Sequence, residues 1–245
     1  MSTQPKQVLL LGGTGRTGGR VLQQLLERGV SVRAIVRSPH KLPAAIARNR
    51  LLTVIESSVS ELADEDLARY IDGCDAVISC LGHHTTNLSG IFGKPRDLVA
   101  EATARVCRAI ETLRPEHPVK FVLMSSVSVN RPNRLDSRRG GLERAVLWTM
   151  RGVVPPAKDN QRAADFLCGR VGTNDRFVQW VAVRPDTLCD GEVCEYELHH
   201  GLVDGLFKPG KTNMANVANF MCELVTNSAK WDSWRGKLPV IVNAT

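Results

Sequence analysis

Residues Val8 to Leu42 read VLLLGGTGRTGGRVLQQLLERGVSVRAIVRSPHKL, and their order decides the fold. Val8–Leu11 is a short apolar run, the pattern of a buried strand. Gly12, Gly15 and Gly18 follow at G-x-x-G-x-x-G spacing. Val21, Leu22, Leu25 and Leu26 then recur on one helical face, and Gly29 stands where a helix C-terminal glycine belongs. Val32–Val36 is a second strand, closed by Arg37. Strand, glycine turn, helix and strand in that order make a βαβ unit built around a phosphate loop. One glycine permits the tight turn, one lets the backbone approach a pyrophosphate, and one lets the helix pack on the sheet. The helix start offers unpaired N–H groups and partial positive charge. Thr14, Arg16 and Thr17 are candidates for side-chain contacts. No G-K-[ST] follows, so a nucleoside triphosphate loop is not expected.

Arg37 is read as the residue that selects the ligand. About 20 residues past the last glycine, NAD sites carry Asp or Glu for the ribose 2′-hydroxyl. Here stand Arg37 and Ser38, with Lys41 one turn on. A guanidinium pairs with a 2′-phosphate that a carboxylate would repel. NADP is the expected cofactor. The plain alternative is a solvated basic loop.

Beyond Leu42 the alternation continues. Leu51–Ile55 is a third strand, ELADEDLARYIDG a helix ended by Gly73, and DAVISCLG a fourth strand. Leu98–Leu113 reads as a long helix, KFVLMSS as a fifth strand and Ala157–Leu167 as a helix. FVQWVAVRP is a sixth strand, Asn216–Val225 a late helix and LPVIVN a final strand. Repeated βα units imply an α/β fold: a doubly wound, mostly parallel sheet with helices on both faces. One domain over 1–245 is expected. Residues 130–156 and 186–212 break the rhythm, both after strands at the C-terminal sheet edge where such folds bind ligands. They are read as insertions that shape a substrate site. Leu142, Val146, Trp148 and Met150 are candidates for an apolar lid, and Tyr196 and Phe207 for walls.

Composition narrows the partners. The chain has 245 residues, 43% hydrophobic, enough for a sizeable core. No run approaches the ~18 apolar residues of a membrane helix, and the polar start resembles no signal peptide. A cytoplasmic location is expected. Seven cysteines without a CxxC pair suggest reduced thiols. The net charge of +7 suits anionic cofactors and small-molecule substrates. Without an interleaved basic and aromatic module, nucleic acid is not favoured. His199, His200, Cys189 and Cys194 fit no common zinc spacing, so no metal is expected.

Taken together, GGTGRTG, VRSPHKL, DAVISCLG, FVLMSSVSV, DNQRAADFL, WVAVRPDTL and KTNMANVANFM resemble, in order and over almost the whole chain, the atypical short-chain dehydrogenase/reductase family. The likeness is to its NAD(P)-binding branch of NmrA-like and biliverdin reductase B-like proteins. The resemblance implies a Rossmann fold with NADP across the sheet edge. It implies Ser58 and Val59 near the adenine, and Leu81, Gly82 and His83 along the ribose-phosphate path. Ser125 and Ser126 would sit beside the nicotinamide, with Pro185 at the same end.

One departure matters. Typical members use a Tyr-x-x-x-Lys pair for acid–base work. This chain has only Tyr70 and Tyr196, followed four residues on by Cys74 and His200. Aligning the DNQRAADFL helix on Asp165 puts Ala157 at the Tyr position and Gln161 at the Lys position. Tyr70 reads as core. Hydride transfer still works through placement alone, and a conjugated acceptor can take its proton from water. Ser125, Ser126 and Asn160 are the catalytic candidates, as hydrogen-bonding groups toward substrate or nicotinamide amide. His83 and His84 could titrate near neutral pH. Capping, structural hydrogen bonds or a solvated loop are the bland readings for each. Three functions stay open: an NADPH-dependent reductase of quinone-, flavin- or tetrapyrrole-like or small carbonyl acceptors; a non-catalytic NADP(H) sensor with a regulatory protein partner; and an NADP-dependent isomerase or biosynthetic enzyme.

Overall fold

The computed structural model describes residues 7–82, 97–130, 155–203 and 210–244. His83 and His84, the residues proposed as a lid (Leu142, Val146, Trp148 and Met150) and Phe207 lie outside the described residues.

The expected elements are present. Strands β1 (Gln7–Leu11), β2 (Ser31–Val36) and β3 (Leu52–Glu56) are joined by helix α1 (Arg16–Glu27) and a short α2 (Ala44–Ala47). Helix α3 (Asp64–Ile71) leads to β4 (Ala76–Ser79), α4 (Leu98–Leu113) to β5 (Val119–Met124), and α5 (Pro155–Phe166) to β6 (Val178–Pro185). The sheet order is β3-β2-β1-β4-β5-β6, all parallel, extended by β10 (Val240–Asn243) and β8 (Tyr196–His199). The chain winds outward from β1 to β3, returns to β4 and winds the other way. The switch point therefore falls between β1 and β4, which open the ligand crevice at their C-terminal ends.

Period-two alternation explains the two faces. Val8 and Leu10 of β1 pack with Leu22 and Leu25 of α1 and with Phe220 and Leu224 of helix α6 (Met214–Thr226). Leu9 and Leu11 point the other way, to Leu67 of α3, Val106 and Ile110 of α4, and Leu167 beyond α5. A strand apolar on both sides is what helices on both faces require.

The stretch after β6 is more ordered than its sequence suggests. Within 186–212 lie β7 (Thr187–Cys189) and β8, and β9 (Lys211–Asn213) closes the stretch. β7 pairs with β9, whereas β8 joins the main sheet antiparallel to β10. Helix α7 (Ser228–Trp234), the short α2 and the 3-10 turn Pro39–Lys41 were likewise not legible as separate elements. β7, β8 and β9 are three or four residues long and lack the continuous apolar run that made β4 and β10 legible, and their pairing is long-range.

A candidate cofactor cleft at the strand switch point

The turn after β1 is built by close approach. Gly12 adopts φ +81, and a Cβ there would meet the Cys80 carbonyl oxygen at 2.8 Å. A Cβ on Gly18 would fall 2.1 Å from the Gly12 carbonyl oxygen. Gly15 donates its N–H to the Gly12 carbonyl at 2.9 Å. Helix α1 opens on Gly15 with no side-chain cap and no acid in its first turn. Its leading amides are therefore left for an external acceptor, as an anion site requires.

Beside this turn a cleft of about 460 Å³ is lined by Gly12, Thr14, Gly15, Arg37, Ser38, Lys41, Ser57–Ser60 and Cys80–Gly82, with Ile35, Val36 and Leu98. The loops after β1, β2, β3 and β4 supply its walls. Arg37 and Lys41 are exposed, and they are the only charged side chains among its described lining residues. The Pro39–Lys41 turn, closed by a hydrogen bond from Lys41 N–H to the Ser38 carbonyl at 3.1 Å, brings Lys41 back toward Arg37.

Of the residues expected at a cofactor, Gly12, Thr14, Gly15, Arg37, Ser38, Lys41, Ser58, Val59, Leu81 and Gly82 come together here. Gly18 sits beneath the turn. Thr17 is buried and does not line the cleft. Arg16 faces a larger, open groove of about 1060 Å³ on the outer side of α1 and pairs with Asp190 at 3.0 Å. That groove shares Thr14, Gly15 and Lys41 with the smaller cleft, which lies at the C-terminal strand ends where doubly wound folds bind ligands.

Ser125 follows β5, and Pro185 ends the neighbouring strand β6. The Ser125 N–H donates to Val183 at 2.7 Å, and Val127 N–H to the Pro185 carbonyl at 3.2 Å. The Ser125 hydroxyl is buried with no hydrogen-bond partner among the described residues. Such an orphan is costly unless a ligand or water completes it. Ser126 Oγ instead accepts from the Ser128 N–H at 3.2 Å, the local turn bond its bland reading foresaw. Asn160 is half-buried on α5.

Three supporting residues escaped the sequence reading. Arg105 of α4 is buried and donates to the carbonyls of Val59 and Leu62 and, at 2.7 Å, to the Asp64 carboxylate. It pins the loop after β3 that lines the cleft. Asp159, fully buried on α5, accepts from the Val99 and Ala100 N–H groups at 2.8 Å each and so caps α4 from another helix. Gln161 accepts from the Asn130 N–H at 2.8 Å and donates to the Asn130 carbonyl at 3.1 Å and to Asp165 at 2.8 Å. The position expected to correspond to the family lysine is therefore committed to the backbone after β5. A long polar residue on the inner face of α4 was the one available signal for Arg105.

Tyr196 does not line the described cleft. Its hydroxyl donates to Glu223 at 2.9 Å and accepts from Asn219 at 3.1 Å, while its ring stands 6.5 Å from Phe220. Burial, chiefly, pushes this phenol up to about 12. Tyr70 packs against the core, as expected. Among the described residues no group of three His, Cys, Asp or Glu side chains converges to hold a metal, and no helix is long and apolar enough to cross a membrane.

The profile of the NAD(P)H-binding family matches residues 12–228. The chain belongs to that family. This NAD(P)H-binding chain is 33% identical over 130 residues to a chloroplastic protein of Arabidopsis thaliana, covering 53% of this chain and 44% of that protein. It spans less than half the length of the curated relatives it matches. Two solved structures share the fold. A Rossmann-fold NAD(P)-binding family protein from Shigella flexneri gives a TM-score of 0.66 at 18% identity, covering 99% of this chain and 98% of its own. ChuY, an anaerobilin reductase from Escherichia coli O157:H7, gives 0.67 at 17% identity, covering 97% of each chain. The family match gives the chain an NAD(P)H-binding domain, and the two solved structures share its fold. The glycine cradle, the uncapped helix and the buried Ser125 hydroxyl fit a nicotinamide cofactor.

Proposed function

We propose that the chain is an NADP-dependent reductase that delivers hydride to a conjugated acceptor of quinone, flavin or tetrapyrrole type, or to a small carbonyl. The observation that carries the cofactor choice is the pairing of Arg37 and Lys41 in a cleft with no carboxylate among its described lining. Two cations suit a ribose 2′-phosphate and offer nothing specific to a 2′-hydroxyl. When bound, the nicotinamide supplies the hydride.

The chain's own part is placement. The glycine turn and the start of α1 hold the pyrophosphate, and Val59 and Leu81 flank the adenosine half. Ser125 orients the carboxamide or the acceptor, with Ser126, Asn160 and Pro185 on the same side. No lysine stands at the Gln161 position to lower a phenol pKa. An acceptor that draws its proton from water is therefore the chemistry these residues favour. The ChuY likeness is compatible with a large conjugated acceptor.

The commitment of Gln161 to Asn130 also favours a second reading, a non-catalytic NADP(H) sensor. One experiment separates the two. NADPH and NADH are titrated by fluorescence, and NADPH oxidation is then followed against quinones, flavins and linear tetrapyrroles. Tighter NADPH binding that Arg37→Asp abolishes, with turnover of at least one acceptor, supports the reductase. Tight binding without turnover supports the sensor. Equal affinity for both cofactors overturns the NADP assignment.

A further inference from the structure

The loop between β7 and β8 wraps one side chain, that of Asn213 in β9. The Cys189 thiol donates to Asn213 Oδ1 at 3.1 Å, and Asn213 Nδ2 donates to the Cys194 sulfur at 3.4 Å and to the Glu192 carbonyl at 2.9 Å. The two sulfurs thus stand at the two ends of one amide. Asn216 Nδ2 also donates to the Cys194 sulfur, at 3.2 Å. Gly191 is the closest approach of the loop to this amide: a Cβ there would lie 2.5 Å from Asn213 Nδ2. Cys194 is exposed and Cys189 half-buried.

The other thiols are poor competitors. Cys74, Cys80, Cys107 and Cys222 are buried. Burial raises the Cys74 thiol to about 11 and those of Cys107 and Cys222 to about 12, and raises Cys80 as well. Cys168 packs against the cluster on the opposite face of the sheet. Reaction requires thiolate and access together.

We propose that Cys189 and Cys194 are a redox-active dithiol that closes to an intraloop disulfide on exposure to a peroxide. The Cys194 thiolate attacks a peroxide oxygen; the O–O bond breaks and hydroxide leaves, giving a sulfenic acid. The Cys189 thiol then attacks that sulfur; an S–S bond forms, the S–O bond breaks and water leaves. Overall, two thiols lose two electrons and two protons, and hydrogen peroxide becomes two waters. The S–S bond of about 2.05 Å requires the Asn213 amide to withdraw from between the sulfurs. The six-residue loop also carries Asp190, which accepts from Arg16 at 3.0 Å and Arg20 at 3.1 Å. Closure therefore acts on a loop tied directly to α1, the helix that starts at the glycine turn.

The test treats the full reduced chain with hydrogen peroxide, blocks remaining thiols and reads intact mass and a non-reducing peptide map. The expected product has lost two hydrogens, links Cys189 to Cys194 and returns to the starting mass with dithiothreitol. Cys189→Ser should instead accumulate Cys194 sulfenic acid that dimedone traps, and Cys194→Ser should form no bridge. Dimedone trapping of Cys194 in the unmutated chain as strong as in Cys189→Ser overturns the proposal. So does a bridge between other cysteines.

Discussion

A side chain on Gly18 would collide with the Gly12 carbonyl oxygen, its Cβ only 2.1 Å away. The obstacle is backbone and cannot rotate aside. Gly18→Ala must therefore push α1 away from the turn, at about 3 kcal/mol by analogy with overpacked cores. The expected outcome is a lower denaturation midpoint together with NADPH binding weakened at least tenfold. A variant with unchanged affinity would remove the turn from the cofactor site.

Arg105 holds the cleft-lining loop after β3. Replacing it with Met leaves the Val59 and Leu62 carbonyls unsatisfied and releases Asp64. Hydrogen bonds to a charged group contribute about 1.5–3 kcal/mol each, so the loss of stability should be a few kcal/mol. The cleft-lining loop 57–62 should exchange its amide hydrogens faster, and the cofactor dissociation constant should rise. Calorimetry and hydrogen exchange read the two effects separately.

Asp159 satisfies two amides of α4 while fully buried. Asp159→Ala strands both donors in the interior. A loss of about 2–3 kcal/mol is expected, above the ~1 kcal/mol of an ordinary exposed cap. Asp159→Asn keeps one good acceptor and should lie between. Urea unfolding of the three proteins gives the ranking, and equal midpoints would contradict it.

Alkaline pH should destabilise the fold through its buried thiols. The Cys222 thiol is raised by burial from 9.0 to about 12. The unfolded chain ionises first, so between these values it binds fewer protons than the folded chain. Stability is then fully present below pH 9 and falls as pH rises toward 12, by up to about 1.4 kcal/mol per pH unit for this group. Cys222→Ala should flatten that slope in denaturant titrations at pH 9 to 11, whatever it does to stability at neutral pH. Cys107 adds a parallel contribution, so the slope should not vanish.

The sheet was legible because its strands are apolar on both sides and its helices on one. Leu9 and Leu11 against Val8 and Leu10 state the two-faced sheet in four residues. The cleft was legible for a related reason. Phosphate loops are contiguous in sequence, so Gly12, Thr14 and Gly15, and Arg37 with Lys41, each announce themselves locally. Arg16 and Thr17 belong to the same contiguous stretch, yet one pairs with Asp190 and the other is buried. Helix rotation, invisible to a motif, separates them from Thr14.

By itself, then, the sequence determined the doubly wound sheet, the glycine turn at its switch point and the basic pair beside it. All of these depend on residues within one or two turns of each other. The tertiary structure alone decided what Arg105, Asp159, Gln161 and Asn213 do. Apart from Asp165 beside Gln161, their partners lie from about 20 to 60 residues away, and the side chain types by themselves predict only a need for hydrogen bonds. A buried polar group must be satisfied, but only the packed chain determines which backbone arrives to satisfy it.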